Sequence, residues 1–468
     1  MKKKKWLIAV LILLIIFVYE IAGAVVPFIH AKKVQTSLMK TESFYDHGQS
    51  SDRAAIIESN EEALELRLSM FEDAKESIVF STFDIRNGES TKEVFSSLLA
   101  AANRGVDVKI IVDGLYGMIH MNKEPLFYAA GNHKNIEIKY YNTPDVIRPW
   151  TFNGRMHDKY IMIDDKLLLM GGRNTFDYFL GKHAGKSTGY DREVLIYNTD
   201  FENGNKNSVI KDVKKYFQGM WDSKDCKNKF ENVPLGKKDE IENVKKEMAS
   251  RYTENDIRTT DYIQRTVPVN KAVFIHNPTH ILAKEPYVWE QLQSLMSDAK
   301  EKVVIQTPYA VFSDDMYKGI SEITEKIPDT QMLINSIASG DNICASSDYI
   351  KNKSKILDTG VNVYEYMGKY SSHGKSLTID QDFSVIGSYN FDNRSTYVDT
   401  ETMLVIQSEE INKELNSYFD SFREGSLKVK TEKEYEANEE VKEKKINEKK
   451  EKKIKLLSFV IGGFRYLI

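Results

Sequence analysis

Histidine, lysine and asparagine recur in this sequence at one spacing, and the three side chains together could do phosphorus chemistry. The segments HDKYIMID (157–164) and HGKSLTID (373–380) both read His-x-Lys-x4-Asp. Gly171-Gly172-Arg173-Asn174 and Gly387-Ser388-Tyr389-Asn390 each begin fourteen residues after their histidine. In an extended strand, residues two apart share a face, so His157 projects with Lys159 and His373 with Lys375. The small residues before Asn174 and Asn390 let backbone approach a ligand closely. Each copy thus offers an imidazole, an ammonium and a carboxamide. Facing one another across a domain interface, the two sets would make one cationic pocket suited to a phosphodiester. Lysines neutralise charge on the phosphoryl oxygens. One histidine attacks phosphorus, the other protonates the departing alcohol, and the chemistry requires no metal or other cofactor.

Such histidines need a carboxylate to hold them. The candidates are Glu193 in the segment 191–193 and Glu401 in the segment 399–401, which both precede apolar strands; Asp191 could serve in place of Glu193. Asp164 and Asp380 stand at odd separation from their histidines and open turns, so they are expected to cap those turns or pair with a neighbour rather than touch substrate.

The elements that must position these groups alternate helix and strand. In the first half, helical spacing over 61–75, a β-rich run over 77–84, helix over 91–104 and strand over 106–112 predict a largely parallel core. The second half repeats the order, with helices over 289–300, 317–324 and 349–358 and strands over 303–306, 331–335 and 361–366. The duplication is therefore architectural as well as chemical. The expected class is α/β: a first domain over 45–225, a polar linker with some helix over 226–260, and a second domain over 261–427. A charged tract over 428–455, solvated helix or disorder, leads into a mostly apolar tail over 456–468. Seven lysines between 444 and 455 suit that tail to anionic lipid; docking on the chain's own core is the alternative.

A chain of 468 residues exceeds what one hydrophobic core usually serves. With 41% hydrophobic and 29% charged residues, it is excluded from the multi-span membrane class. A net charge of −4 writes no overall attraction to nucleic acid into the composition. The two cysteines, Cys226 and Cys344, lack metal-ligand spacing and read as packing residues, with one disulfide between them left open. Residues 2–5 are lysines, followed by a run that is apolar from 6 to 28 except around Glu20. The twenty-three residues suffice to span a bilayer, and we read them as an uncleaved anchor with the rest of the chain on the outer face; a cleaved signal peptide and secretion are the alternative.

The paired motifs resemble the signature of the phospholipase D superfamily. Residues 154–159, 335–342, 360–365, 387–395 and 399–401 resemble its bacterial cardiolipin synthase C-type branch. The resemblance, over residues 55–425, implies two mixed-sheet α/β domains related by pseudo-two-fold symmetry. It also implies phosphatidyl transfer through a covalent histidine, with a phospholipid such as phosphatidylglycerol as substrate and a membrane as partner. The family's catalytic positions fall on His157, Lys159, Asn174, His373, Lys375, Ser388 and Asn390, with Asp164 and Asp380 as motif aspartates. His157 is the expected nucleophile and His373 the acid and base. Gly172 departs from the serine common there, and one apolar segment stands where many members have two. Hydrolysis of phospholipid and cleavage of nucleic-acid phosphodiesters are the competing activities.

Overall fold

The computed structural model describes residues 2–29, 32–35, 37–48, 50–185, 188–203, 207–254 and 259–468. Alternating apolar runs and amphipathic helices build two mixed sheets that repeat one another strand for strand. The first contains β1 (Asp52–Ile57), β2 (Ser77–Thr82), β3 (Asp107–Asp113), β4 (Ile136–Tyr141), β5 (Tyr160–Ile163), β6 (Leu167–Gly171), β7 (Glu193–Asn198) and β8 (Cys226–Lys229). Their order is β1-β7-β6-β5-β2-β3-β4-β8, with a short strand, Val267–Pro268, added outside β1. The second contains β9 (Lys271–His276), β10 (Val303–Gln306), β11 (Thr330–Asn335), β12 (Asn362–Tyr366), β13 (Ser376–Ile379), β14 (Phe383–Gly387), β15 (Thr402–Gln407) and β16 (Ser426–Lys428). Its order, β9-β15-β14-β13-β10-β11-β12-β16, is the same order again. The expected two-domain α/β architecture is therefore present, and within the two large sheets parallel pairing is confined to β2-β3-β4 and β10-β11-β12, the other pairs being antiparallel.

Helices Asn60–Asp73, Glu89–Asn103 and Pro125–Gly131 bury their apolar stripes on the first sheet, and Tyr287–Ser297, Asp314–Lys326 and Ile343–Asp358 do so on the second. A third apolar cluster joins the two sheets to each other. It includes Ile56, Met170 and Ile196 from one half, Ile386, Leu404 and Ile406 from the other, and the helices Ile210–Trp221 and Glu409–Glu424. Each of these helices reaches across the seam. Tyr216 packs against Phe274 and His276 of the second half, while Phe419 lies 5.4 Å from the Arg192 guanidinium of the first.

Two segments poor in apolar residues or rich in charge pack on the folded halves. The segment 226–260 is no free linker: Cys226–Lys229 pairs with β4, and helix Lys238–Glu254 covers Glu89–Asn103 and Pro125–Gly131, with Ile241 and Met248 buried. Ile241, Val244 and Met248 face inward along one side of the helix, so low average hydrophobicity concealed an amphipathic cover. The tail docks on the chain itself, the alternative that the sequence left open. Helix Glu448–Ile461 lies on Ile343–Asp358, Arg465 pairs with Asp348 at 2.7 Å, and Leu467 joins Phe28, Ala283, Tyr397 and Val398 in a small apolar cluster. Cys226 is buried and Cys344 exposed, and both are free thiols.

At the N-terminus, residues 3–28 form one helix long and apolar enough to cross a membrane, with a mean hydropathy of 2.8. No other such helix occurs among the described residues. Residues 39–45 then lie on the second half, where Phe44 is buried and Met39 exchanges two backbone hydrogen bonds with the Gln291 carboxamide.

Candidate active site

The two motifs meet at the seam by exchanging short stretches of backbone. Met156 bridges to Thr400, and Ser371 and Ser372 pair in parallel with Gly189 and Tyr190. The amide of His157 donates to the Thr400 hydroxyl at 3.1 Å, and the amide of His373 donates to the Tyr190 carbonyl at 2.6 Å. Each histidine is thus held by the chain that leads to the other half's carboxylate.

The carboxylates cross over accordingly. His157 Nδ1 lies 2.9 Å from Glu401 Oε1, and His373 Nδ1 lies 2.6 Å from Asp191 Oδ2. A carboxylate at Nδ1 fixes the tautomer that leaves the Nε2 lone pair free. Glu193 does not perform this task. Its carboxylate is gripped by Arg67 at 2.5 and 2.9 Å and by Arg173 Nε at 3.1 Å, all inside the first half. Sheet register explains the mismatch. Gly171 pairs with Glu193 and Gly387 with Met403, so Glu193 corresponds to Met403 and Asp191 to Glu401.

Between the second glycine position and its carboxylate, the halves differ in a compensating way. Ser388 donates its hydroxyl to Glu401 Oε2, so it acts on His157 through Glu401. At the equivalent Gly172, an added Cβ would lie 2.4 Å from Asp191 Oδ1. The shorter aspartate fills the space that the serine occupies in the other half.

Lys159 and Lys375 are almost fully buried, and each turns its ammonium back to the carbonyl of its own histidine. Burial pulls the Lys159 ammonium down to about 7, against the opposing influence of Glu401. Lys375 is lowered as well, by burial against the pull of Asp191, and its Nζ stands 3.8 Å from that carboxylate. Burial, then the charges of Lys159, Lys375 and His373, holds His157 well below the usual imidazole range. His373 is lowered by burial and Lys375, with Asp191 opposing. The carboxylates diverge. Burial pushes Glu401 well up, whereas at Asp191 the burial penalty is outweighed by Lys375 and His373 and the group ends below its ordinary value. Both imidazoles are thus biased towards the neutral form, and the two dyads differ in their carboxylates, which burial and neighbouring cations push in opposite directions.

Asn174 and Asn390 occupy the same position in each half, and in both the carboxamide oxygen is buried without a hydrogen-bond partner among the described residues. A ligand hydroxyl would satisfy either oxygen as a donor, while the amide nitrogen of the same side chain is the group that can donate to a phosphoryl oxygen. Asp164 and Asp380 lie at the far ends of β5 and β13 from the histidines. Asp164 accepts the amides of Lys75, Glu76 and Ser77, and Asp380 those of Lys300, Glu301 and Lys302. Among the described residues, no cluster of three or more His, Cys, Asp or Glu is arranged to hold a metal ion.

Residues 68–221 and 292–423 match the family described as cardiolipin synthase, phospholipase D-like domain. The chain belongs to this family. Its similarity to cardiolipin synthase C of Escherichia coli K12 is 26% identity over 410 residues, 75% of this chain and 81% of that one. To the cardiolipin synthase of Clostridium perfringens SM101 it is 24% over 363 residues, 74% and 65% of the two chains. The crystal structure of phosphatidylserine synthase from Haemophilus influenzae Rd KW20 superposes with a TM-score of 0.63 at 14% identity, over 89% of this chain and 95% of that one, and shares its fold.

Within this cardiolipin synthase-like frame, three contacts have no motif to announce them. Phe83 sets its ring edge-on to His157 at 5.0 Å and lies 5.0 Å from the Lys159 ammonium; Phe179 lies 5.1 Å from His373. Thr400 is the third. The repeat gives no warning of Phe83, because the β2-β5 and β10-β13 registers put Pro308 at the matching place.

Proposed function

We propose that this protein is a membrane-anchored phosphatidyltransferase that joins a phosphatidyl group to the glycerol headgroup of phosphatidylglycerol, giving cardiolipin. The observation that carries this reading is the pair of crossed dyads, His157 with Glu401 and His373 with Asp191, at one seam. The Nε2 lone pair of His157, kept neutral by its surroundings, attacks phosphorus and forms the P–N bond. The P–O bond to the departing glycerol breaks as His373 delivers its proton to that oxygen. His373 then takes a proton from the incoming alcohol, whose oxygen attacks phosphorus and releases His157. Lys159, Lys375, Asn174 and Asn390 hold the phosphoryl oxygens as charge accumulates on them.

The relatives named cardiolipin synthase support the substrate class, and the helix over residues 3–28 supports attachment to a bilayer. Lysines ahead of that helix set its N-terminus in the cytoplasm and the two catalytic halves outside. The reading is tested by incubating purified protein with labelled phosphatidylglycerol, with and without phosphatidylethanolamine, and weighing the products. Cardiolipin with free glycerol is expected. Phosphatidic acid alone would identify a hydrolase instead, and cleavage of single-stranded DNA without lipid turnover would identify a nuclease.

A further inference from the structure

An apolar finger lies along the outer end of the N-terminal helix. The Tyr19 hydroxyl donates to the Ile147 carbonyl at 2.6 Å, and the Asn153 carboxamide donates to the Ala24 carbonyl at 2.7 Å. Between them Pro149 fills the notch left by Gly23, where a Cβ would meet Pro149 Cγ at 2.2 Å. Tyr19 and Ala24 are separated by about 7.5 Å along the axis of an α-helix, so the tip of the finger points back towards the middle of the helix. That tip is apolar and open: Val146 is 64% and Ile147 75% exposed. It is also rigid. Asp145 accepts the Ile147 amide at 2.9 Å and pairs with Arg148 at 2.9 Å, which neutralises the one cation at the tip.

Helix Gly114–His120 abuts the base of the finger, where a Cβ on Gly114 would meet Thr143 Cα at 2.7 Å, and adds Ile119, 61% exposed. The same helix leads inward. Tyr116 packs against Phe83 with ring centroids 4.1 Å apart and a tilt of 48°, and Phe83 stands edge-on to His157. Past Asn153 the chain reaches His157 within four residues. Phe28, at the base of the anchor, packs on Tyr397 and Val398, just ahead of Glu401.

We propose that residues 143–152 and the end of helix Gly114–His120 form a bilayer-seated face that fixes the mouth of the catalytic seam at headgroup depth. Exposed apolar side chains on a stapled loop, continuous with a membrane-spanning helix, fit the acyl–headgroup boundary. A lipid headgroup then meets the dyads while its chains remain in the bilayer. This rests on the anchor reading given above, and the test separates the two.

The full chain carrying Cys344→Ser is reconstituted into nanodiscs of phosphatidylglycerol and phosphatidylethanolamine, with an environment-sensitive fluorophore at Ile147→Cys, Ile119→Cys, Ile12→Cys or Lys318→Cys. Blue-shifted emission quenched by doxyl lipids is expected at 12, 147 and 119, and aqueous emission at 318. Aqueous emission at 147 and 119 with lipid quenching at 12 overturns the proposal and leaves the anchor standing. Aqueous emission at 12 refutes the anchor and the proposal with it. Loss of the blue shift at 147 when the nanodiscs are diluted would assign the face to a second copy of the chain and overturn the bilayer assignment. In a second arm, Ile147→Asp and the milder Ile147→Ser are assayed on phosphatidylglycerol vesicles and on a dispersed short-chain phosphatidylglycerol. For Ile147→Asp a loss of roughly tenfold is expected on vesicles alone, the order for replacing one buried aliphatic side chain by a carboxylate at an interface. Equal losses on both substrates would overturn the proposal.

Discussion

Asp191 and Glu401 make the same contact to opposite histidines, yet their surroundings give them opposite tendencies. Lys375 and His373 keep Asp191 ionised, so it stabilises a protonated His373; Glu401, raised by burial, sits beside an imidazole held well below its usual range. This asymmetry favours His157 as the attacking base and His373 as the proton donor. A proton donor works only while protonated, so activity falls as pH rises through its pKa, giving the alkaline limb of the kcat/KM profile. Asp191→Asn removes the anion that opposes burial and Lys375 at His373, and the limb is expected to move about one unit towards lower pH. Glu401→Gln should leave the limb in place and slow phosphohistidine formation on the order of 10²-fold or more. Movement of the limb in Glu401→Gln instead would reverse the two roles. Much at this scale was legible in the sequence, because His, Lys and Asn recur with their spacing intact. Glu401 was legible as a carboxylate that holds a histidine, but its counterpart was not, since Asp191 and Glu193 lie two residues apart on one strand end and only the pairing of Gly171 with Glu193 tells which of them corresponds to Glu401. Phe83 and Phe179 left no trace, having no aromatic counterparts in the second copy.

At the scale of elements, the motif strand is pinned at both ends. One end carries histidine and lysine. At the other, Asp164 and Asp380 adopt the left-handed conformation, with φ of 52° and 49°, and each gathers three amides from the turn that precedes β2 or β10. Aspartate tolerates that backbone conformation better than most residues and supplies an acceptor that a glycine would lack. The motif aspartate therefore sets the register between β5 and β2 and acts on the chemistry only through it. Asp164→Ala is expected to cost about 2 kcal/mol in urea unfolding, the order for losing charge-assisted hydrogen bonds at a partly exposed site. The yield of phosphohistidine per folded molecule should stay at the wild-type level, and a selective loss of that yield would make Asp164 part of the reacting site. Strands and helices of the two cores were readable almost to the residue at 303–306 and 331–335, because burial on both faces leaves continuous apolar runs. For the cover helix Lys238–Glu254 some helix was readable but its packing was not, because its inward face carries only a few apolar residues among many charges.

For the whole molecule, the crossed dyads mean that neither half owns a complete site. The first half brings His157 and Asp191, the second His373 and Glu401, and the Arg192 guanidinium ties them by bonding to Glu58 on one side and to Gln306 and Ser376 on the other. The apolar core shared between the sheets makes the pairing of halves part of folding itself rather than a later docking step. All four members of the two dyads come from a single chain. A mixture of His157→Ala and His373→Ala proteins, co-expressed and purified together, is therefore expected to remain as inactive as either alone, because each chain retains one histidine at a seam where the second is missing. Product measured from labelled phosphatidylglycerol in the mixture, above the sum of the two separate variants, would require halves of different chains to form one seam. That outcome would assign the intact site to an exchanged dimer, and a wild-type chain diluted into excess protein carrying both His157→Ala and His373→Ala would then lose activity in proportion to the exchange.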